Sequence, residues 1–480
     1  MIQASRIRTL KEAPEREGAE YVLYWMGLAQ RARFNPALEL AVEEANARNL
    51  PILVLYAIAE GFPEVNARHW TFLLEGIAEV GPALERRGIA FAARRTPPVE
   101  TALHFAERAA LVVLDRNYLK PVRNFYADFA AQAPCRVVQV EGEVVVPVET
   151  ASPKHEIAAR TLRPKLRRLL PEYLHPLEER PVRVPAAAAG LRPESTLDLA
   201  DIPRTVSGLR CDHAVRPVRR FRGGTSQAEA RLRRYLGDPD SPGAPGAADP
   251  PGVPFAQYAA GRGRPEAGAA SHMSPYLHFG QVSPVAIALA VMSSPAGGEE
   301  DRSAYIEELV VRRELAMNHI HYEPNYDDLS AVPAWARRTL DAHRADPRPF
   351  LYTPEQFELG LTHDRYWNAA MKEMRETGYM HNHMRMYWGK KIVEWSPTPE
   401  AAWETALRLN NRYFIDGRDA NSFTNIGWLF GLHDRPWGPR PVFGNVRTLG
   451  AATLKKFDAD GYVREVERLA AAEREEAAHG

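Results

Sequence analysis

Two cysteines in 480 residues, Cys135 and Cys211, are too few for a disulfide framework and fit a reducing compartment. No apolar run reaches the ~20 residues needed to cross a bilayer. The N-terminus, MIQASRIRTLKEAPEREGAEY, has no apolar centre of the signal-peptide kind. These absences predict a cytoplasmic protein with no membrane partner. An excess of one charge is missing too. The 61 Lys and Arg residues balance 61 Asp and Glu residues, so bulk attraction to nucleic acid is not indicated. Any nucleic-acid contact needs a local basic face. The first 150 residues hold no G-x-G-x-x-G, so the usual dinucleotide signal is absent, and neither a P-loop nor a Ser/His/Asp arrangement is visible. His319/His321 and His381/His383 stand two apart, which on a helix aims them at different faces. No metal site is expected.

What is present predicts two domains. An apolar fraction of 45% and a charged fraction of 25% are ordinary for a globular chain with a sizeable core. Short apolar runs alternate with helical patterns up to about residue 150, the mark of an α/β layout with a mostly parallel sheet. Strands are predicted at Tyr21–Met26, Ile52–Ala57, Ile89–Ala92, Leu111–Asp115 and Val137–Val140. Helices are predicted at Pro36–Arg48, with Asn35 as its cap, and at His69–Arg87. Pro181 to Gly224 is rich in Pro, Ala and Arg and reads as a connector.

Beyond the connector the pattern is helical: Ser226–Leu236, Ser283–Met292, Arg302–His319, Pro333–His343, Pro354–Leu361, Arg365–Thr377, Met380–Trp395 and Thr398–Leu409. Gly237–Gly252 reads as a flexible loop. The acidic, amphipathic segment after Phe457 reads as a solvated helix or frayed end. The expected domains are 1–180 (α/β), 181–224 (linker), 225–457 (helical) and 458–480 (tail).

Six of the nine tryptophans, Trp367, Trp388, Trp395, Trp403, Trp428 and Trp437, fall between Thr362 and Asn445. Arg385, Asn410, Asn411, Asp416 and Asp419 fall there as well. A Trp-rich helical stretch followed by a compact polar turn suits a large aromatic cofactor, with aromatics to pass electrons and polar groups to fix a ring and its phosphates.

Six motifs then stand out in order: ARTLRPKL (159–166), SHMSPYLHFGQVS (271–283), EELVVRREL (307–315), THDRYWNAA (362–370), MRMYWGKKIVEW (384–395) and DGRDAN (416–421). Together they resemble the class II cyclobutane pyrimidine dimer photolyases of the photolyase/cryptochrome family, nearly end to end. The resemblance implies a Rossmann-like α/β antenna domain joined by a long linker to an all-α FAD-binding domain. It also implies FAD, active as the reduced anionic hydroquinone, and allows an antenna chromophore whose identity stays open. The partner implied is double-stranded DNA carrying pyrimidine dimers, met by a monomer that is nucleoid-associated when bound.

The resemblance assigns roles, each with a plainer alternative. Trp388, Trp367 and Trp395 become an electron relay, with Trp388 nearest the flavin and Trp395 at the surface; the alternative is core packing. Ser271, Met273 and Ser274 open a helical segment suited to a diphosphate, or the serines simply cap it. Tyr258 matches a flavin contact. Asn410 matches the amide facing flavin N5, where a neutral amide accommodates either protonation state; Asn411 is its rival by one register. Asp416 is expected near the ring and paired with Arg385, with Asp419 nearby, although the pair could equally be structural.

On the substrate side Trp428 matches a stacking residue, and Met386 matches a neighbour of the dimer. Glu308 matches the group that hydrogen-bonds the dimer and stabilises charge developing on it, for which the carboxyl must be protonated to donate. Its alternative is a surface charge paired with Arg312 one turn on. Arg262, Arg264, Arg435 and Arg440 are candidates for phosphate contacts or for filling the gap left by a flipped lesion. A cryptochrome-like light sensor with little repair is the rival function. Glu308, Met386 and Trp428 together, with no long extension after Lys456, favour repair.

Overall fold

The computed structural model describes residues 2–238 and 255–478, so the loop expected at 237–252 lies, beyond Asp238, outside the described residues. Six strands form one sheet: β1 (Ile7–Lys11), β2 (Tyr21–Trp25), β3 (Ile52–Ala57), β4 (Ala90–Arg94), β5 (Ala109–Asp115) and β6 (Arg136–Val140). Their spatial order is β1-β6-β5-β2-β3-β4. All pairings are parallel except β1 with β6. The parallel strands are apolar on both faces because helices cover both, so β2 (YVLYW) is buried at every position. β1 (IRTLK) was not predicted. Its alternating cations carry no apolar run, which is what an exposed edge strand requires.

The helix Pro36–Arg48 begins where expected, with the Asn35 side chain accepting from Leu38 N at 3.0 Å. The next helix, Ala67–Arg86, starts two residues earlier than predicted because Asn66 and His69 form a capping box. Asp115 ends β5 and binds the turn after β2: its Oδ2 accepts from Gly27 N (2.9 Å), Leu28 N (2.8 Å) and Ala29 N (3.0 Å). This fixes the point where the strand order reverses, between β5 and β2.

In the second half, helices Arg365–Thr377, Asn382–Trp395, Pro399–Tyr413 and Ala420–Leu429 surround a core holding Trp367, Trp388, Trp395 and Trp403. The helix predicted at Arg302–His319 is longer and irregular. Glu299–Ile306 and Arg313–Tyr322 flank a π-helical turn at Glu307–Arg312. The segment after Phe457 is not a frayed tail. Helix Ala459–Ala478 docks against Arg365–Thr377 through Tyr462, Val466, Leu469 and Ala470, all at most 4% exposed, and the Tyr462 hydroxyl donates to Glu373 at 2.5 Å. Apolar side chains at 3–4 spacing outweigh its acidic composition.

The two halves interlock. Arg68 donates to Tyr413 O (2.7 Å), Arg375 O (2.6 Å) and Met374 O (3.3 Å), and His69 Nε2 donates to Phe414 O (3.0 Å). Gly280, at φ +63°, sits so close to Leu28 O that an added Cβ would lie 1.8 Å from it.

Candidate active site

The turn 414–419 links helices Pro399–Tyr413 and Ala420–Leu429, and the first half of the molecule holds it in place. Asn411 Nδ2 donates to Glu64 at 2.6 Å, and Asn411 Oδ1 accepts from Arg418 N at 3.0 Å. Arg418, at φ 67°, donates to His69 Nδ1 at 2.5 Å. Burial pulls its guanidinium down to about 10. Gly417 lies against the helix before it, since a Cβ there would be 2.9 Å from Asn410 O. Asn411 is thus spent on holding the turn. Asn410 Nδ2 donates to Asn411 at 3.1 Å, and its Oδ1 has no protein partner among the described residues. Between the two rivals, Asn410 is the one left able to meet a ligand.

Arg385 and Asp416 do meet. Arg385 Nη2 lies 3.1 Å from each carboxylate oxygen of Asp416, and its Nε donates to Met380 O at 3.0 Å. The guanidinium also stacks 3.7 Å over the Phe414 ring, a contact the sequence did not signal because the two residues come from separate elements. Phe414 is 6.5 Å from the Trp388 ring. Asp419 is the N-cap of Ala420–Leu429, accepting from Ser422 N at 2.9 Å, and burial pushes its carboxyl upward. Asp419 thus caps a helix, as acidic residues in such turns often do.

Ser271 and Ser274 make no side-chain cap; Ser274 is the exposed first residue of helix Ser274–His278, and buried Met273 precedes it. The Tyr305 hydroxyl donates to Ser271 Oγ at 2.9 Å. The Tyr258 ring lies tilted against that of Tyr305, 5.1 Å away, and burial pushes its hydroxyl to about 12. His272, at φ 54°, packs 4.6 Å from Tyr379, whose ring lies 5.8 Å from Arg385. A run of side-chain contacts therefore leads from His272, next to Ser271, through Tyr379, Arg385 and Phe414 to Trp388.

The tryptophans are all buried: Trp367 0%, Trp388 1% and Trp395 2% exposed. Trp367 Nε1 donates to Trp388 O at 2.9 Å, and the Trp367 and Trp395 rings are 6.1 Å apart. Trp395 is not at the surface as expected. Tyr352, His363 and Lys391 cover it at 5.7, 5.0 and 5.3 Å from its ring. His363 stacks 3.7 Å from Phe350, which is 43% exposed, so the aromatic chain reaches solvent there.

Glu308 lies in the π-helical turn, a local widening often found at functional sites. Its Oε1 accepts from Arg262 Nη1 at 2.5 Å. Arg312 turns instead to Glu307 (3.2 Å), which also takes two bonds from Arg163 (2.7 and 2.6 Å), so the Glu308–Arg312 alternative fails. Arg264 pairs with Glu266 at 3.0 Å. Met386 is half-buried on Asn382–Trp395, one residue after Arg385. Trp428, also half-buried, ends Ala420–Leu429. Arg435 and Arg440 are exposed, and Arg435 lies 5.2 Å from the Trp437 ring.

The chemistry of these side chains fits a large, partly polar aromatic group. Trp388 Nε1 is buried without a partner among the described residues, and so is His278 Nδ1. Unmet buried donors and acceptors of this kind cost about 1–3 kcal/mol each until something completes them.

An α/β domain docked onto a helical domain in this way is the photolyase/cryptochrome architecture. Solved structures show the same fold: a class III photolyase from Agrobacterium tumefaciens (TM-score 0.66, 19% identity, covering 95% of this chain and 87% of that one) and a Synechocystis cryptochrome (TM-score 0.67, 16% identity, covering 94% and 89%). Residues 22–183 match the DNA photolyase family model. The deoxyribodipyrimidine photo-lyase of Methanothermobacter thermautotrophicus is 41% identical over 98% of this chain and 99% of its own length. That of Oryza sativa is 38% identical, covering 97% and 91%. That of Potorous tridactylus is 34% identical, covering 92% and 81%. This chain belongs to the DNA photolyase family, and its plant and animal relatives fit class II.

Proposed function

We propose that this protein is a deoxyribodipyrimidine photolyase that repairs cyclobutane pyrimidine dimers in double-stranded DNA in blue or near-UV light. The observation that carries the reading is identity of 41% to a deoxyribodipyrimidine photo-lyase along nearly the whole of both chains. Reduced FAD, when bound, supplies the light-driven electron that splits the dimer and takes it back. Everything else falls to the chain.

Tyr258, Ser271, Met273, Ser274, Arg385, Asn410, Asp416 and Asp419 would hold the flavin. The Arg385–Asp416 pair, clamped by Phe414, gives that face a fixed polar edge, and Asn410 offers a neutral amide. Trp388, Trp367 and Trp395 form the relay by which an oxidised flavin would be recharged. Turning a dimer out of the duplex costs a few kcal/mol, about 1–3 kcal/mol of which stacking on Trp428 returns. Glu308 and Met386 face the dimer, and Arg262 must release Glu308 or share it as the lesion enters. Exchange of one partly exposed ion pair for another contact is a small cost. Arg435 and Arg440 reach DNA phosphates or the space the lesion vacates. An antenna chromophore would belong outside the carboxyl ends of β5 and β2, where the strand order reverses. The crevice there, lined by Leu28, Arg116, Tyr118, Glu141 and His278, is about 60 Å³, so a chromophore would have to part these side chains.

The test is a light-dose repair curve and a binding titration on an oligonucleotide carrying one thymine dimer. Wild type should repair. Glu308→Ala should keep the FAD spectrum and lose quantum yield; Trp428→Ala should lose dimer affinity by about 1–3 kcal/mol. A wild type that repairs nothing while its flavin cycles in light would favour the sensor reading.

A further inference from the structure

Helix Asn382–Trp395 carries a lysine to which the repair chemistry gives no task. Lys390 is 0% exposed. Its Nζ donates to Leu429 O at 2.6 Å, its one hydrogen bond among the described residues. The same Nζ lies 4.8 Å from the Trp428 ring and 5.8 Å from the Phe443 ring. A buried ammonium with no carboxylate against it is costly, and a methionine would fill the same volume without that cost. The ring closest to the charge is that of Trp428.

Geometry ties the two residues further. Leu429 O is one of the last carbonyls of Ala420–Leu429, which lack helical partners and carry the negative end of the helix dipole. A cation there holds the end of the helix from which Trp428 projects. Gly389 lets the two helices come this close, since a Cβ at 389 would lie 2.5 Å from Leu429 Cδ1. Arg447 lies 5.7 Å from the Trp428 ring and 5.0 Å from that of Trp437, which is 40% exposed. Lys390, Trp428, Arg447, Trp437 and Arg435 therefore alternate cation and ring from the core to the surface. Lys390 also stands one turn after Met386, on the same side of its helix.

We propose that Lys390 is a positioning residue for the lesion: a buried ammonium that fixes the Trp428 ring and the helix end beneath it, so that the stacking platform exists before DNA arrives. This rests on the reading of Trp428 as the platform. The charged groups facing Lys390 are Asp434, which favours its protonated form, and Arg447, which opposes it. Burial outweighs both and pulls the ammonium down to about 7, so its charge is lost just above neutrality.

The experiment measures binding of one-dimer and undamaged oligonucleotides, in the dark, to flavin-loaded protein between pH 6 and 8.5. Lys390→Met should weaken dimer binding about tenfold while leaving undamaged binding and the flavin spectrum unchanged. Wild-type preference for the dimer should fall as pH rises through about 7. Lys390→Arg should retain the preference and lose its pH dependence. Lys390→Met added to Trp428→Ala should cost nothing more. The proposal is overturned if Lys390→Met stays within about twofold of wild type while Trp428→Ala loses the dimer. A wild-type preference flat across neutrality, or equal loss of dimer and undamaged binding in Lys390→Met, overturns it as well. If Trp428→Ala itself binds the dimer normally, the platform reading falls first.

Discussion

At the scale of single residues, the site depends on side chains held in one state by what surrounds them. Trp388 has its ring beside Phe414, and its backbone oxygen accepts from Trp367 Nε1, so it joins the Arg385–Phe414 contact to the rest of the aromatic chain. Trp388→Phe should remove light-driven reduction of oxidised FAD by external donors and leave repair by chemically pre-reduced enzyme largely intact. Steady-state absorbance under illumination reads the first, and dimer loss the second. Unchanged photoreduction would remove Trp388 from the relay. Glu314 titrates instead of conducting. Burial pushes its carboxyl from 4.5 up to about 8, although Val145 N donates to it at 2.5 Å and Arg313 and Arg6 are near. The folded state therefore holds a proton at neutral pH that the unfolded chain releases. Its contribution is whole below about 4.5 and is lost as pH rises through about 8. Glu314→Gln cannot titrate. Within that window wild type should lose stability relative to the variant by up to about 1.4 kcal/mol per pH unit, measured by chemical denaturation. A constant difference between the two would contradict the buried proton.

At the scale of elements, the critical joint is where helix Ala67–Arg86 meets the turn 414–419. Arg68 satisfies three carbonyls of the helical half. Arg68→Ala strands them and should cost roughly 3 kcal/mol in unfolding free energy. It should also loosen flavin retention, because the turn that carries Asp416 leans on this contact. Tight flavin with normal stability would mean that the joint is dispensable. This joint also marks how far sequence could be read. Helices with a cap and an apolar stripe were legible to the residue, as at Pro36–Arg48 and Arg365–Thr377. The five parallel strands were legible from their apolar runs, to the residue at Ile52–Ala57 and within one or two residues at the ends of the others. The charged edge strand β1 gave no such run, and the π-helical turn at Glu307–Arg312 has no periodicity that separates it from an α-helix. The docking of Ala459–Ala478 was hidden by its acids. At the site, Arg385 with Asp416 was legible through motif resemblance. The stacking of Arg385 on Phe414 and of Lys390 on Trp428 was not, since each joins separate elements and leaves no spacing to count.

At the scale of the whole molecule, a chain with equal numbers of acids and bases must gather its DNA affinity locally. The surface that can do so carries Arg435, Arg440 and Arg447 around exposed Trp437. Among the described residues none of Arg435, Arg440 and Arg447 lies within salt-bridge distance of a carboxylate, whereas Arg264 is paired with Glu266 and Arg163 with Glu307. Free guanidinium groups displace counterions from phosphates, and paired ones must first give up a partner. Affinity for dimer-containing duplex should therefore fall with salt, at a slope of about −0.9 in log–log terms for each phosphate neutralised. Replacing Arg435 or Arg440 by Gln should reduce that slope by about 1 each and weaken damaged and undamaged DNA alike. Arg264→Gln should leave the slope near its wild-type value. Titrations from low to physiological ionic strength decide the matter. A salt-independent affinity, or a slope that moves with Arg264 and not with Arg435 or Arg440, would place the DNA on a different face of the molecule.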